Sequence, residues 1–386
     1  MIKIGVITST RAEYGLLYPL ILKLSEDDFF DCRLVVTGSH LLNKYGHTID
    51  YIIDDNVMIS KCVSIMTEHE NDSCEIISKA ILKFDELYKK EMYDAVVLLG
   101  DRFELLGFAI PALLNKIPII HIHGGEKTQG AVDEQIRHSI TKMSSVHFAS
   151  IKEYSDRIIQ MGENPDRVFT VGALGLDNIL NTNLLDKKEL ETGLDVDLGK
   201  DIALITYHPV TLECKYTEVE QMVSLFEAVL NNDLFMVVTM PNIDKGSENI
   251  IGVIEEYSNK YPSKIKSFKS LGQLNYLSIL KYAKVVIGNS SSGIIETASF
   301  KLPTVNVGIR QKGRLAPENV INCSNEFSDI DKAIKLAISE EFNKKIKNMI
   351  NPYGDGHAAE RIIKELKGLN WNRDELVVKE FNDLRI

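Results

Sequence analysis

Short, β-branched apolar runs alternate with amphipathic stretches from the N-terminus onward. Ile4–Ile7, Leu34–Val36, Ala95–Leu99, Ile119–Ile122 and Val146–Ala149 are each too short for a helix and mostly apolar throughout. That pattern predicts buried strands with helices over both faces. Helical spacing fills the intervals at Tyr14–Leu24, Cys74–Lys90, Glu104–Leu114 and Asp133–Met143. Such alternation predicts βαβ units and a parallel sheet. The segment 181–200 is polar, carries no apolar strand, and reads as a linker with a short helix. The alternation then restarts. Strands are expected at Ile202–Thr206, Met236–Met240, Val285–Gly288 and Thr304–Val307. Helices are expected at Val219–Leu230, Ile250–Tyr261, Leu274–Lys281, Gly293–Ser299 and Ile330–Ile338. The expected organisation is a first domain at 1–180, a second at 201–355 and a partly helical tail at 356–386. Architecture, not periodicity, suggests that the tail returns to the first domain.

Composition narrows the class. At 386 residues the chain suits about two domains. Its 44% hydrophobic and 26% charged content is that of an ordinary globular protein. A net charge of −11 argues against a nucleic-acid binder. It still permits a small phosphorylated ligand, which needs only local arginines, backbone N–H groups and helix N-termini. Cys32, Cys62, Cys74, Cys214 and Cys323 are odd in number and widely spaced, with no CxxC. Reduced thiols are expected rather than disulfides or structural zinc. The N-terminus reads as a strand rather than a signal peptide, and no run approaches the roughly 18 apolar residues of a membrane span. The expectation is a cytoplasmic protein without membrane or nucleic-acid partners.

Two open α/β domains bind ligands beyond the carboxyl ends of their strands, so the residues that follow strands carry the candidate chemistry. Ser9-Thr10-Arg11 follows the first strand. It offers an N-cap at Ser9 or Thr10 and an arginine for phosphate, but no GxGxxG fingerprint. Gly100-Asp101-Arg102 offers either a helix cap or a carboxylate for acid–base work. His121-Ile122-His123-Gly124-Gly125-Glu126 could seat a metal if the two histidines shared a strand face. Proton transfer by imidazole and carboxylate is the stronger reading. Asp133 and Arg137 are spaced as a surface ion pair or as parts of a site. His208, in Tyr207-His208-Pro209, is either a satisfied core histidine or a phosphate contact. Gly288-Asn289-Ser290-Ser291-Ser292-Gly293 opens a helix with a cluster of small donors, which suits a diphosphate. Glu296 falls a turn later, within reach of ribose hydroxyls. Arg310 to Arg314 add cations beside the same loop.

Taken in order, STRAEYG, GDR, HIHGGE, DEQIRHSITKMS, YHP, PNID, GNSSSG…E and RQKGR resemble the hydrolysing UDP-N-acetylglucosamine 2-epimerases, over roughly residues 1–360. The resemblance implies a GT-B fold, in which two Rossmann-like domains face each other across a cleft. It implies conversion of UDP-N-acetylglucosamine and water to N-acetylmannosamine and UDP, in sialic-acid biosynthesis, with no metal or nicotinamide cofactor. Elimination of UDP gives a 2-acetamidoglucal, and water then adds with inversion at the second carbon. By the resemblance Asp101, Asp133 and Arg137 are catalytic-site groups and His208 lies near the diphosphate. Arg11, Arg102, Asn242, Ser290, Ser291, Ser292, Glu296 and Arg314 fall at nucleotide-binding positions. Many members carry a catalytic glutamate at the third position of HIEGGE, where this chain has His123. Either His123 or the retained Glu126 takes that role. Homo-oligomers are common in the family. The same chemistry on a UDP- or GDP-linked 2,4-diacetamido-trideoxyhexose, as in the legionaminic-acid pathway, is the main alternative. A GT-B glycosyltransferase, a non-hydrolysing epimerase and a non-catalytic sensor are others.

Overall fold

The computed structural model describes residues 1–68, 72–129, 131–210, 215–241 and 246–383. The chain divides into two compact units. One comprises Met1–Glu126, Asp133–Leu180 and Tyr353–Ile386; the other comprises Lys127–Val132 and Asn181–Pro352.

Among the described residues the first unit holds seven strands. They are β1 (Ile2–Thr8), β2 (Phe30–Thr37), β3 (Ile59–Val63), β4 (Ala95–Leu99), β5 (Ile119–Ile122), β6 (Val146–Ala149) and β7 (Val168–Thr170). They pair in parallel in the order β3-β2-β1-β4-β5-β6-β7. Side chains alternate between faces with period two. Ala95, Val97 and Leu99 of β4 enter one core with Ile4, Val6 and Leu34, while Val96 and Leu98 enter the other with Ile7 and Val35. Each buried Val, Leu or Ile contributes about 1.5–3 kcal/mol. The tail helix Ala358–Gly368 adds Ala358, Ala359, Ile362 and Leu366 to the first core. Its opening amides, Ala358 N and Ala359 N, donate to the buried Asp177 carboxylate at 2.9 and 2.8 Å.

The second unit holds, among the described residues, β8 (Ile202–Thr206), β9 (Phe235–Thr239), β10 (Ile265–Phe268), β11 (Val285–Gly288), β12 (Thr304–Val307) and β13 (Val320–Cys323). These are parallel in the order β10-β9-β8-β11-β12-β13. Both sheets reverse direction once. The chain winds outward from β1 through β2 to β3, then returns to β4 on the other side of β1. It does the same from β8 to β11. At such a switch point the two neighbouring loops diverge and leave room for a ligand.

Three features differ from the sequence expectation. Residues 181–200 group with the second unit rather than standing apart as a linker. Their helix Lys187–Leu194, closed by a capping box of Asp186 and Glu189, buries Leu190 and Leu194. Strands β3, β7, β10 and β13 and the helices Ile49–Asp54, Lys152–Gln160, Gly175–Asn181 and Glu340–Ile346 were not anticipated. The helix expected over Gly293–Ser299 is regular only at Ser292–Ile295. Beyond it Thr297 Oγ1 donates back to the Gly293 carbonyl at 2.8 Å, and the chain tightens into turns. No helix among the described residues is long and apolar enough to cross a membrane.

Candidate active site

In the first unit the loops after β1, β4 and β5 emerge side by side at the carboxyl edge of the sheet. After β1, Thr10 is the N-cap of the helix Arg11–Glu26, its side chain accepting from Glu13 N at 3.3 Å. The Arg11 guanidinium sits 4.1 Å from the Tyr51 ring centroid.

After β4, Asp101 does not cap the next helix, whose N-cap is Glu104. Its Oδ2 accepts from Arg137 Nε at 2.9 Å and also from Nη2. Arg137 comes from the helix Asp133–Met143 and is fully buried. Its Nη1 donates to the Glu126 carbonyl at 2.8 Å and to Glu134 Oε2 at 3.3 Å. A buried guanidinium must be paired, and its planar fork fits several acceptors at once. Arg137 thus ties together the turn after β4, the loop after β5 and its own helix. Asp133 opens the same helix one turn earlier and is half-buried. Arg102 turns to Glu104, its Nε donating to Oε1 at 2.7 Å.

After β5, the two histidines separate. His121 is buried with Nε2 at 2.8 Å from the Gly100 carbonyl and Nδ1 at 3.2 Å from Thr141 Oγ1. Burial pushes it down to about 3, so it stays neutral and structural. His123 lies past the strand end in the left-handed region, at φ 64°. It therefore shares no strand face with His121. That conformation is costly for a residue with a side chain and persists only when its surroundings enforce it. Here Leu174 N donates to His123 Nε2 at 3.4 Å, which leaves the ring hydrogen on Nδ1, 3.7 Å from Glu126 Oε1. Gly125 is obligatory: at φ 75° a Cβ would lie 2.3 Å from the Tyr154 carbonyl oxygen. Among the described residues no three His, Cys, Asp or Glu side chains gather as a metal set.

In the second unit the switch point is the junction of β8 and β11. His208 is buried just after β8. Its backbone is held by one side chain: His208 N donates to Asn289 Oδ1 at 2.7 Å, and Asn289 Nδ2 donates to the His208 carbonyl at 2.8 Å. The Asn289 carbonyl accepts from Arg310 Nη1 at 3.2 Å and Gln311 Nε2 at 2.9 Å. The cationic stretch after β12 therefore does lie against the serine loop. Gly288 lets the loop cross β8 closely: at φ 145° a Cβ would meet the Thr206 carbonyl oxygen at 2.0 Å.

Of the three serines, Ser292 is engaged, its Oγ 2.5 Å from the Tyr276 hydroxyl. Ser290 and Ser291 hydroxyls make no hydrogen bond among the described residues and are only half-buried. With one helical turn behind them, these are individual hydroxyl and N–H groups rather than the end of a long helix dipole. Burial raises the Glu296 carboxyl above its ordinary value, and its Oε2 is enclosed without a partner among the described residues. Arg314 is half-buried and its backbone N–H donates to the Gln311 carbonyl at 3.1 Å. Asn242 lies outside the described residues.

Sequence reasoning passed over Glu13, Glu104 and Asn289. Asn289 stands inside a motif already singled out, but its partner lies 81 residues away, beyond any local pattern.

Two Rossmann-like units of parallel sheet, each with its candidate groups at the switch point, define a GT-B fold. The structure of UDP-GlcNAc 2-epimerase from Neisseria meningitidis bound to UDP-GlcNAc has the same fold, with a TM-score of 0.82 at 18% identity, over 95% of this chain and 100% of that one. Residues 22–367 match the family described as UDP-N-acetylglucosamine 2-epimerase, and the chain belongs to that family. It is similar to the GDP/UDP-N,N'-diacetylbacillosamine 2-epimerase (hydrolyzing) of Campylobacter jejuni, 40% identical over 99% of both chains. The polysialic acid biosynthesis protein P7 of Escherichia coli is 39% identical over 95% of this chain and 94% of its own. The UDP-N,N'-diacetylbacillosamine 2-epimerase (hydrolyzing) of Legionella pneumophila is 38% identical over 95% of each.

Proposed function

We propose that this chain is a hydrolysing 2-epimerase of a nucleoside-diphosphate-linked 2,4-diacetamido-trideoxyhexose. It releases the free 2-epimer and the nucleoside diphosphate. Full-length similarity to two hydrolysing diacetylbacillosamine 2-epimerases supports the substrate. The Asp101–Arg137 pair carries the chemistry. A carboxylate held by a buried guanidinium is fixed in orientation, as a base requires.

In this reading a carboxylate removes the proton on the sugar's second carbon. The bond from the first carbon to the diphosphate oxygen breaks, and a double bond forms between the two carbons. Water then supplies hydroxide to the first carbon, and a proton returns to the second from the opposite face. Asp101 and Asp133 serve the proton transfers, and the linked His123–Glu126 pair supplies the group that other members draw from a glutamate. The departing diphosphate needs fixed donors. Ser290, Ser291, His208, Arg11, Arg102 and Arg314 are assigned to it, and Glu296 to the ribose. No step needs a metal or redox cofactor. A cytoplasmic location and a homo-oligomer belong to the same proposal.

UDP-N-acetylglucosamine is the second reading, favoured by the family description. Proton NMR in deuterated water, with UDP- and GDP-linked diacetamido sugars and UDP-GlcNAc in parallel, separates the two. We expect free 2-epimer, deuterated at the second carbon, from a diacetamido substrate. Turnover of UDP-GlcNAc alone would replace the first reading with the second. Product that stays nucleotide-linked, or release only with an acceptor present, would refute both.

A further inference from the structure

Behind the turns after β1 and β4 lie two buried carboxyls that the reaction above does not use. Glu13 is 5% exposed and Glu104 2%. Ser9 Oγ lies 2.9 Å from Glu13 Oε2 and 2.9 Å from Glu104 Oε1. A serine hydroxyl has one hydrogen and can donate to one of them only. The other contact sets two oxygens against each other unless that carboxyl carries a proton. Glu104 Oε1 already accepts from Arg102 Nε, and Glu13 Oε2 from Ser9 N at 2.6 Å. Glu13 Oε1 and Glu104 Oε2 are enclosed without partners among the described residues, a heavy cost for two full charges.

We propose that Glu13 and Glu104 share one proton through Ser9, and that this proton keeps the Arg102 anchor electrically balanced for binding an anionic nucleoside diphosphate. The inference rests on the reading in which Arg102 meets the diphosphate. With the proton, the two carboxyls and Arg102 sum to zero; without it they sum to −1, against a doubly or triply charged ligand. The neighbouring groups leave this difference of one charge in place, since none of them changes charge with the proton. The turn after β4 brings Arg102 and Glu104. The turn after β2 brings His40, bound to Thr8 Oγ1 and Thr48 Oγ1 and pushed by burial down to about 4, hence neutral. The helix of Glu13 itself brings Arg11, stacked on Tyr51. Burial, the largest influence, also raises the Glu13 carboxyl to about 7.

The test uses the full chain. Infrared difference spectra between about pH 6 and about pH 9 should show a protonated-carboxyl C=O band that disappears on the alkaline side and is missing from Glu13→Gln. Calorimetric binding of UDP and of GDP should weaken by roughly tenfold more in wild type than in Glu13→Gln over that interval. Ionisation of the nucleotide's own phosphate is common to both proteins and cancels in the comparison. Ser9→Ala, which deletes only the bridge, should shift the band. Absence of the band, a band unmoved in Ser9→Ala, or an affinity ratio constant with pH overturns the proposal. Failure of wild type to bind either nucleotide at any pH overturns the functional reading and the anchor role with it, while the band still decides the shared proton.

Discussion

Replacing Arg137 tests whether Asp101 is held for chemistry. Its guanidinium is fully buried and donates to Asp101, to the Glu126 carbonyl and to Glu134. Arg137→Met removes one partner of a buried pair, which costs about 3–5 kcal/mol. The lower end applies, because the Asp101 side chain is 26% exposed and regains some hydration. In a unit of this size about 3 kcal/mol lowers Tm by roughly 6–12 °C. Arg137→Lys keeps the charge but not the fork. An ammonium can satisfy Asp101 or the Glu126 carbonyl, not both in the same geometry, so Lys should recover more stability than activity. With Asp101 no longer aligned, kcat should fall by about 10²–10⁴-fold, the usual worth of a positioned base, with a smaller change in KM. The measurement is NMR-detected turnover of the diacetamido substrate well below the variant's Tm, beside thermal unfolding. If Arg137→Lys retained kcat/KM within about twofold, the pair would be only structural and the argument wrong.

Gly288→Ala should abolish nucleoside diphosphate binding, because its Cβ would meet the Thr206 carbonyl oxygen at 2.0 Å; calorimetry with UDP and GDP reads this directly. Asn289→Ala removes both hydrogen bonds that hold the His208 backbone. Each buried group left unpaired costs about 1–3 kcal/mol, and we expect a raised KM and a lowered Tm; unchanged KM would free His208 from the diphosphate role. The third test concerns Glu163. Burial alone would raise its carboxyl, but hydrogen bonds from His147, Lys142 and Lys379 outweigh burial and hold it down to about 2. A folded value below the unfolded one gives stability that is present above about pH 4.5 and lost as pH falls toward 2. Urea midpoints across that window should show the loss, and Lys379→Met should flatten it.

The central strands and most helices were legible because each follows from local composition. β4, β5, β6, β8, β11 and β12 are fully or mostly buried on both faces and read as short runs rich in apolar residues. The four unanticipated strands, β3, β7, β10 and β13, are the edges of the two sheets. ISKCV at β3 is partly or wholly exposed along its length. An edge strand is held by pairing on one side and need not be apolar, so nothing in its own residues announces it. The position of candidate groups after strands was equally readable, since strand order in an α/β sheet sends every loop after a strand to one edge. Their partners were not. Spacing offered Asp133 to Arg137 but gave no sign of Asp101, which the arginine grips from 36 residues away. The sequence by itself determined two α/β units and the residue types at their switch points, because periodicity and turn chemistry are local. Only the tertiary structure decided which charges meet, where His123 turns and what Asn289 holds, because buried polar groups must find partners wherever the packing brings them.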